Sequence, residues 1–291
     1  MELCCFLDSR FIRKTRKLEA IDRGFLDILA SSLFRHFFMH RFYIASENWN
    51  ADALVLRELE AHHARDVLRL EPGERVVVFN GRGHEITAEI TKVTREEIQL
   101  RKLHQAQVPP LHCEITLAQA IPKRKNMDLI VQKAVELGAA EIAPIISDRT
   151  IVHLQGKEAV QKQAKWQQVA IEAAKQCGQN WLPTVQIPRK LSDFFDGVAP
   201  LQLRLIGSLQ SDAVHLKTVL AEYEREHQSR PTSVLMCIGP EGDFTPAELN
   251  LARSRGCRPI TLGPIILRVE TAAIYCLSVL SYELLASVDS R

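Results

Sequence analysis

The sequence predicts an α/β protein in two parts: a small β-barrel, then a larger domain whose parallel sheet is flanked by helices. Three observations carry this. Short runs with tight turns fill the segment from Met39 to about Gln107. The pair Pro109-Pro110 then breaks regular structure. Beyond it, buried-strand candidates alternate with helical patterns, as a parallel sheet with crossover helices requires.

In the first part, Leu59 to Leu70 carries a helical pattern that ends at Pro72-Gly73. Arg75 to Phe79 is a β-branched run, and Asn80-Gly81-Arg82-Gly83 signals a hairpin. Ile86, Ala88 and Ile90 alternate with Glu85, Thr87, Glu89 and Thr91, so one face is buried and the other wet. Thr94 to Glu97 turns the chain and Ile98 to Leu103 returns. Such short strands suit a small barrel. Gln105 to Pro110 reads as a linker.

The second part opens with a strand over Ile115 to Ile121 and a helix over Asp128 to Leu137, closed by Gly138. Glu141 to Ile146 is the next strand, and Lys157 to Cys177 a long helix ended by Gly178. Leu201 to Ile206 and Ser233 to Ile238 are buried strands. The helix from Thr245 to Arg255 has the clearest start: Thr245 as N-cap, Pro246 at N1 and Glu248 at N3 form a capping box. Pro259 to Leu262 is the last strand, and an apolar helix closes the chain. The expected division is residues 1–38 as an extension, 39–107 as the barrel and 111–291 as the α/β domain.

The 291 residues suffice for a sizeable core and roughly two domains. The net charge of +2 arises within residues 1–38, which hold seven Lys and Arg against five acids. Subtracting these from 37 and 35 leaves 30 charges of each sign in the rest. This excludes a binder with a basic field over its whole surface, though not a local basic patch. Met39 precedes a second possible start, so residues 1–38 read as an upstream artefact or a private extension. The seven cysteines form no C-x-x-C pair, so neither a zinc site nor a disulfide framework is expected, and a reducing cytoplasm fits. Cys237 and Cys276 read as buried thiols. No apolar run reaches the ~20 residues of a membrane span.

Three loops leave strand ends and enter helices: Ile121 to Asp128, Ile238 to Asp243, and Leu262 to Thr271. Ligands bind at such places in parallel sheets. Gly239 and Gly242 permit close backbone approach, while Pro240 and Pro264 stiffen their loops. Rigid backbone groups of this kind suit an adenine edge and a ribose, although glycine and proline also merely punctuate turns. Glu241 and Asp243 form a possible acid pair, but Asp243 just precedes an N-cap, where acids are favoured, and reads as structural. Arg268 and Glu270 flank the mouth of the last helix, as a functional pair or a surface ion pair. Lys123, Arg124 and Lys125, with Arg41, Arg65, Arg69 and Arg82, can line a phosphate track, although such a run is also ordinary solvated surface. His62 and His63 lack a third metal ligand and read as surface. Walker and G-x-S-x-G motifs are absent.

Several stretches in order resemble one family. They are M-H-R-F-Y from Met39, V-L-R-L-E-P-G-E from Val67, F-N-G-R-G from Phe79, and I-P-K-R-K-N-M-D-L-I-V-Q-K-A-V-E-L-G from Ile121. S-D-R-T from Ser147, I-E-A-A-K-Q-C-G-Q from Ile171, I-G-P-E-G-D-F-T-P-A-E from Ile238 and L-G-P-I-I-L-R-V-E-T-A-A from Leu262 follow. The chain from residue 39 to about 287 thus resembles the RsmE family, the ribosomal RNA uridine-N3 methyltransferases of the SPOUT superfamily. Two departures stand out. Asp243 replaces the last glycine of the family's Gly-Pro-Glu-Gly-Gly, and Gln179 stands where an arginine usually follows the glycine.

The resemblance implies an N-terminal PUA-like RNA-binding barrel and a SPOUT domain with a deep trefoil knot. It implies S-adenosyl-L-methionine as cofactor, a homodimer, and small-subunit (16S) ribosomal RNA in the assembled 30S particle as substrate, with no membrane and no metal. The methyl donor would be cradled by Leu205 and Gly207, by Gly239, Pro240, Glu241 and Gly242, and by Leu262, Gly263, Pro264, Ile266, Leu267 and Arg268. Arg268 and Arg149 would stabilise charge on the uracil; Glu270 or solvent would take its proton. Arg41, Arg82 and Lys123 to Lys125 would contact RNA. Two other classes of function compete. One is a catalytically silent RNA-binding or ribosome-assembly protein on the same fold. The other is a nucleotide-binding enzyme that uses the G-P-E-G loop for phosphate.

Overall fold

The computed structural model describes residues 39–123, 126–150, 154 and 156–285, and every element below lies in the unit Arg41–Arg291. Residues 1–38, Arg124 and Lys125 lie outside the described residues. The first sheet holds β1 (Arg41–Tyr43), β2 (Val55–Arg57), β3 (Arg75–Phe79), β4 (His84–Val93) and β5 (Glu97–Gln107), in the order β1-β3-β4-β5-β2. All its pairings are antiparallel except β1 with β3. It folds around one core of Phe42, Leu56, Val76, Val78, Ile86, Ala88, Ile90 and Ile98. The alternation of Ile86, Ala88 and Ile90 therefore marks the buried face, as their period of two requires.

Two expectations in this part are corrected. The helix over Leu59 to Leu70 is shorter and irregular: α1 (Glu58–His62) passes into a π-helical turn at His63–Val67. Arg69 then adopts φ 56°, reversing the chain so that the Leu70 amide reaches the Ala64 carbonyl at 3.0 Å. The linker is also shorter, because β5 pairs with β4 as far as Gln107 opposite His84.

The second sheet holds β6 (Glu114–Ala120), β7 (Ala139–Ile146), β8 (Thr184–Val185), β9 (Arg189–Lys190), β10 (Leu203–Gly207), β11 (Val214–His215), β12 (Ser233–Ile238) and β13 (Arg258–Thr261). Its order is β11-β13-β10-β12-β6-β7-β8, with β9 also on β7, and every pairing is parallel. Helices cover both faces. α2 (Asn126–Glu136), α3 (Lys157–Cys177), α5 (Leu216–His227) and α7 (Val269–Leu284) pack on Leu117, Leu205, Val234 and Met236. α4 (Leu191–Gly197) and α6 (Pro246–Ser254) pack on Ala118, Ile206, Leu235 and Cys237. Burial on both faces is why these strands are apolar without alternation. α3 and β12 have the bounds expected from sequence, and α6 carries the full capping box, with Thr245 accepting from the Glu248 amide at 3.3 Å.

The F-N-G-R-G stretch is more than a hairpin. The Gly83 amide donates to the Asn180 carbonyl at 3.0 Å, and the Leu182 amide to the Gly81 carbonyl at 3.1 Å, so the turn grips the segment after α3. Gly83 has φ 83°, and a Cβ there would lie 2.6 Å from the Val108 carbonyl oxygen and 2.9 Å from the Trp181 ring. Gly83→Ala is therefore expected to destabilise the fold by about 1–3 kcal/mol, read as a lower urea midpoint at unchanged slope.

Candidate active site

β13, β10 and β12 are neighbours and parallel, so their carboxyl ends at Thr261, Gly207 and Ile238 open on one edge of the sheet. A pocket of about 540 Å³ lies there, within the range of small-ligand sites. Its walls include Gly207, Gly239, Pro240 and Glu241 from the ends of β10 and β12, and Leu262, Gly263, Ile266, Leu267 and Arg268 from the end of β13. Lys123 and Glu270, expected in other roles, also line it.

The Ile238–Asp243 loop is shaped by its own backbone. The Asp243 amide donates to the Pro240 carbonyl at 2.9 Å, closing a tight turn. A Cβ on Gly239 would stand 3.1 Å from both Asp243 Oδ1 and the Phe244 nitrogen, so a larger residue would force this turn to shift. Asp243 has φ 61°, a left-handed conformation that suits glycine. Aspartate tolerates it here because its Oδ1 accepts the Phe244 amide at 2.7 Å. The side chain thus satisfies the turn that the left-handed Asp243 makes. Glu241 Oε1 accepts the Lys123 amide at 2.8 Å, tying the loop after β6 to the loop after β12.

Arg268 is the N-cap of α7, exposed at the pocket rim, and its side chain makes no ion pair or hydrogen bond among the described residues. The alternative reading as an Arg268–Glu270 ion pair is not what forms. Glu270 Oε2 instead accepts from Asn126 Nδ2 at 3.1 Å, which joins the start of α2 to the start of α7.

Other expected residues sit elsewhere. Leu205 is fully buried in the core beneath the pocket, because alternation along β10 points it at the helices. Pro264 is exposed and outside the lining. Gly242 turns away from the pocket, and a Cβ there would lie 3.3 Å from Arg149 Cδ. Arg149 lies behind the loop, its guanidinium donating to the Gly242 carbonyl. Arg41 is not a surface cation: its side chain is 12% exposed, pairs with Glu85 at 2.7 Å, donates to Asn180 and stacks 5.1 Å from the Phe79 ring centre. Arg82 is exposed, whereas Arg65 is bound to Asp66 and the Thr94 carbonyl. His63 is half-buried, edge-on to Phe42, rather than a surface residue. Residues not foreseen include Ser208, Leu209, Asn126 and Ile265. Ser208 and Leu209 directly follow Gly207, so extending the strand-end argument past β10 would have found them.

Among the described residues no cysteine lines the pocket. Cys237 is fully buried, and its hydrogen bond to Cys257 and its burial push the thiol well up; burial pushes Cys276 to about 12. Among the described residues no cluster of His, Cys, Asp and Glu could hold a metal, and no helix is long and apolar enough to cross a membrane.

A parallel α/β sheet with a loop-built pocket at its strand ends, preceded by a small β domain, defines a class. The family model for the RNA methyltransferase domain matches residues 109–281, and that for the RNA methyltransferase PUA domain matches residues 56–103. Ribosomal RNA small subunit methyltransferase E of Aquifex aeolicus is 32% identical, the alignment covering 83% of this chain and 99% of that one. The Synechocystis protein of the same name is 30% identical over 82% of this chain and 76% of its own. The crystal structure of the Neisseria gonorrhoeae enzyme bound to S-adenosyl methionine has a TM-score of 0.73 at 31% identity, covering 84% of this chain and 98% of that one. A putative methyltransferase of Legionella pneumophila, with bound SAM, has a TM-score of 0.75 at 34% identity over the same shares. The chain belongs to the ribosomal RNA small subunit methyltransferase E family.

Proposed function

We propose that this chain methylates N3 of a uridine in small-subunit ribosomal RNA, with S-adenosylmethionine as donor. The observation that carries this is the pocket at three parallel strand ends, whose lining includes the unpaired guanidinium of Arg268 and the carboxylate of Glu270. The pocket fits the cofactor by size, by its apolar Leu262, Ile266 and Leu267, and by the close backbone approach that Gly207 and Gly239 allow. When bound, S-adenosylmethionine supplies an electrophilic methyl group on a positive sulfur.

The chain's residues must then manage the base. N3 lies on the Watson–Crick edge, so the uridine has to be unpaired or swung out to reach the pocket. N3 also carries a proton. Glu270 Oε2 is held by Asn126, which leaves Oε1 to accept that proton. The negative charge spreads to O2 and O4, where the Arg268 guanidinium would stabilise it. The rigid loops align N3 with the methyl carbon. This chemistry asks for no metal.

Residues 39–107 serve as the RNA-binding barrel and 111–291 as the methyltransferase domain in this reading, with exposed Arg82 and Lys123 meeting phosphates. A second copy of the chain would cover Ile265 and Ile266, which are 74% and 77% exposed beside the pocket. In this reading the α/β domain carries the trefoil knot that the family resemblance implies. The substrate in this reading is the assembled 30S particle, in the cytoplasm. N3 methylation stops reverse transcription. Purified chain with S-adenosylmethionine should create a stop at one uridine of the small-subunit RNA, in 30S particles more than in naked RNA. A stop pattern identical with and without the protein would defeat the reading.

A further inference from the structure

The S-D-R-T segment after β7 packs against the back of the Ile238–Asp243 loop rather than facing the pocket. Its turn is closed by its own side chains and backbone. The Ser147 amide donates to Thr150 Oγ1 at 3.1 Å, the Arg149 amide to Ser147 Oγ at 3.2 Å, and the Thr150 amide to the Ser147 carbonyl at 2.9 Å. Ser147 and Thr150 are 3% and 6% exposed, so the turn is anchored in the fold. It is bolted to the start of α6 through Glu248, a carboxylate only 7% exposed. Glu248 Oε1 accepts the Asp148 amide at 3.0 Å, while its Oε2 accepts the Thr245 amide at 2.8 Å. From this platform Arg149 reaches across the back of the loop and donates to the Gly242 carbonyl.

We infer that Arg149 is a positioning residue for the cofactor loop, acting through the Gly242 carbonyl, and is not a catalytic cation. This rests on the cofactor reading above and assigns Arg149 a different role from Arg268. Gly242 ends the segment whose Gly239 to Glu241 line the pocket, and it directly precedes the left-handed Asp243. A charged donor on that carbonyl holds the loop in one conformation before ligand arrives. Without it, part of the binding energy goes into ordering the loop, so affinity falls while the chemistry of the bound state is kept.

The test separates binding from turnover. Isothermal titration of the full chain with S-adenosylmethionine, without RNA, should show Arg149→Ala weakening affinity about tenfold. At saturating cofactor its kcat on 30S particles should stay within about twofold of wild type. Arg149→Lys, which keeps one cationic donor, should recover most of the affinity. An unchanged Kd with a kcat lowered about a hundredfold would overturn the inference and make Arg149 catalytic. So would an unchanged Kd with only the KM for RNA raised. Wild-type chain that binds no S-adenosylmethionine would overturn the cofactor reading and this inference together.

Discussion

Arg268→Ala is expected to lower the rate of methyl transfer by about a hundredfold to a thousandfold, the usual effect of removing a donor aimed at developing negative charge. Affinity for S-adenosylmethionine should barely change, because the Arg268 side chain makes no hydrogen bond that holds either pocket loop, and Ala272 still finds the residue's carbonyl at 2.8 Å. The loss should therefore appear in kcat and kcat/KM alike, as for an interaction made only in the transition state. Single-turnover methylation of 30S particles at saturating cofactor would measure it. Wild-type turnover in Arg268→Ala would remove the proposed charge stabilisation. Together with Arg149→Ala, this variant divides the two arginines by kinetics: one acts on the reacting base, the other on the loop.

Lys175→Ala is expected to cost about 3–5 kcal/mol of stability. The Lys175 side chain is 7% exposed on α3 and lies 3.1 Å from both carboxylate oxygens of Glu60, on α1 of the first sheet's domain. Removing the ammonium leaves Glu60, itself 14% exposed, ionised and poorly solvated. Burial already pushes the Glu60 carboxyl above its ordinary range, with Lys175 pulling it back. The sign with pH follows. Without Lys175 the folded chain holds the Glu60 proton to still higher pH than the unfolded chain does. Protonation then favours the folded state, so the cost of the variant should shrink as pH falls towards the carboxylate range. Urea unfolding at pH 8 and pH 5 would show this, and a cost independent of pH would mean that lost packing dominates.

Much of the site was legible because glycine, proline and capping residues act locally. Gly239 and Pro240 announce a rigid loop wherever they occur between a buried strand and a capped helix, and the structure places both on the pocket wall. The α6 start was legible for the same reason: Thr245 and Glu248 satisfy each other's backbone within one turn. α5 was missed although Leu216, Val219 and Tyr223 have helical spacing. The two-residue strands β8, β9 and β11 carry too few residues for any periodicity.

Charged side chains were legible only as charges. Arg41 and Arg82 look alike in sequence, yet one is clamped under the first sheet by Glu85 and Asn180, which is 139 residues away, and the other faces solvent. Arg149 stands 93 residues from its carbonyl partner, and Asn126 stands 144 from Glu270. By itself the sequence determined the α/β class, the strand-end loops and the family resemblance, all of which depend on neighbours along the chain. Only the tertiary structure decided which cation faces the pocket, which braces it from behind and which is buried. Those outcomes depend on side chains reaching across strands and domains, where the partner and the local dielectric, not the residue type, set what a charge does.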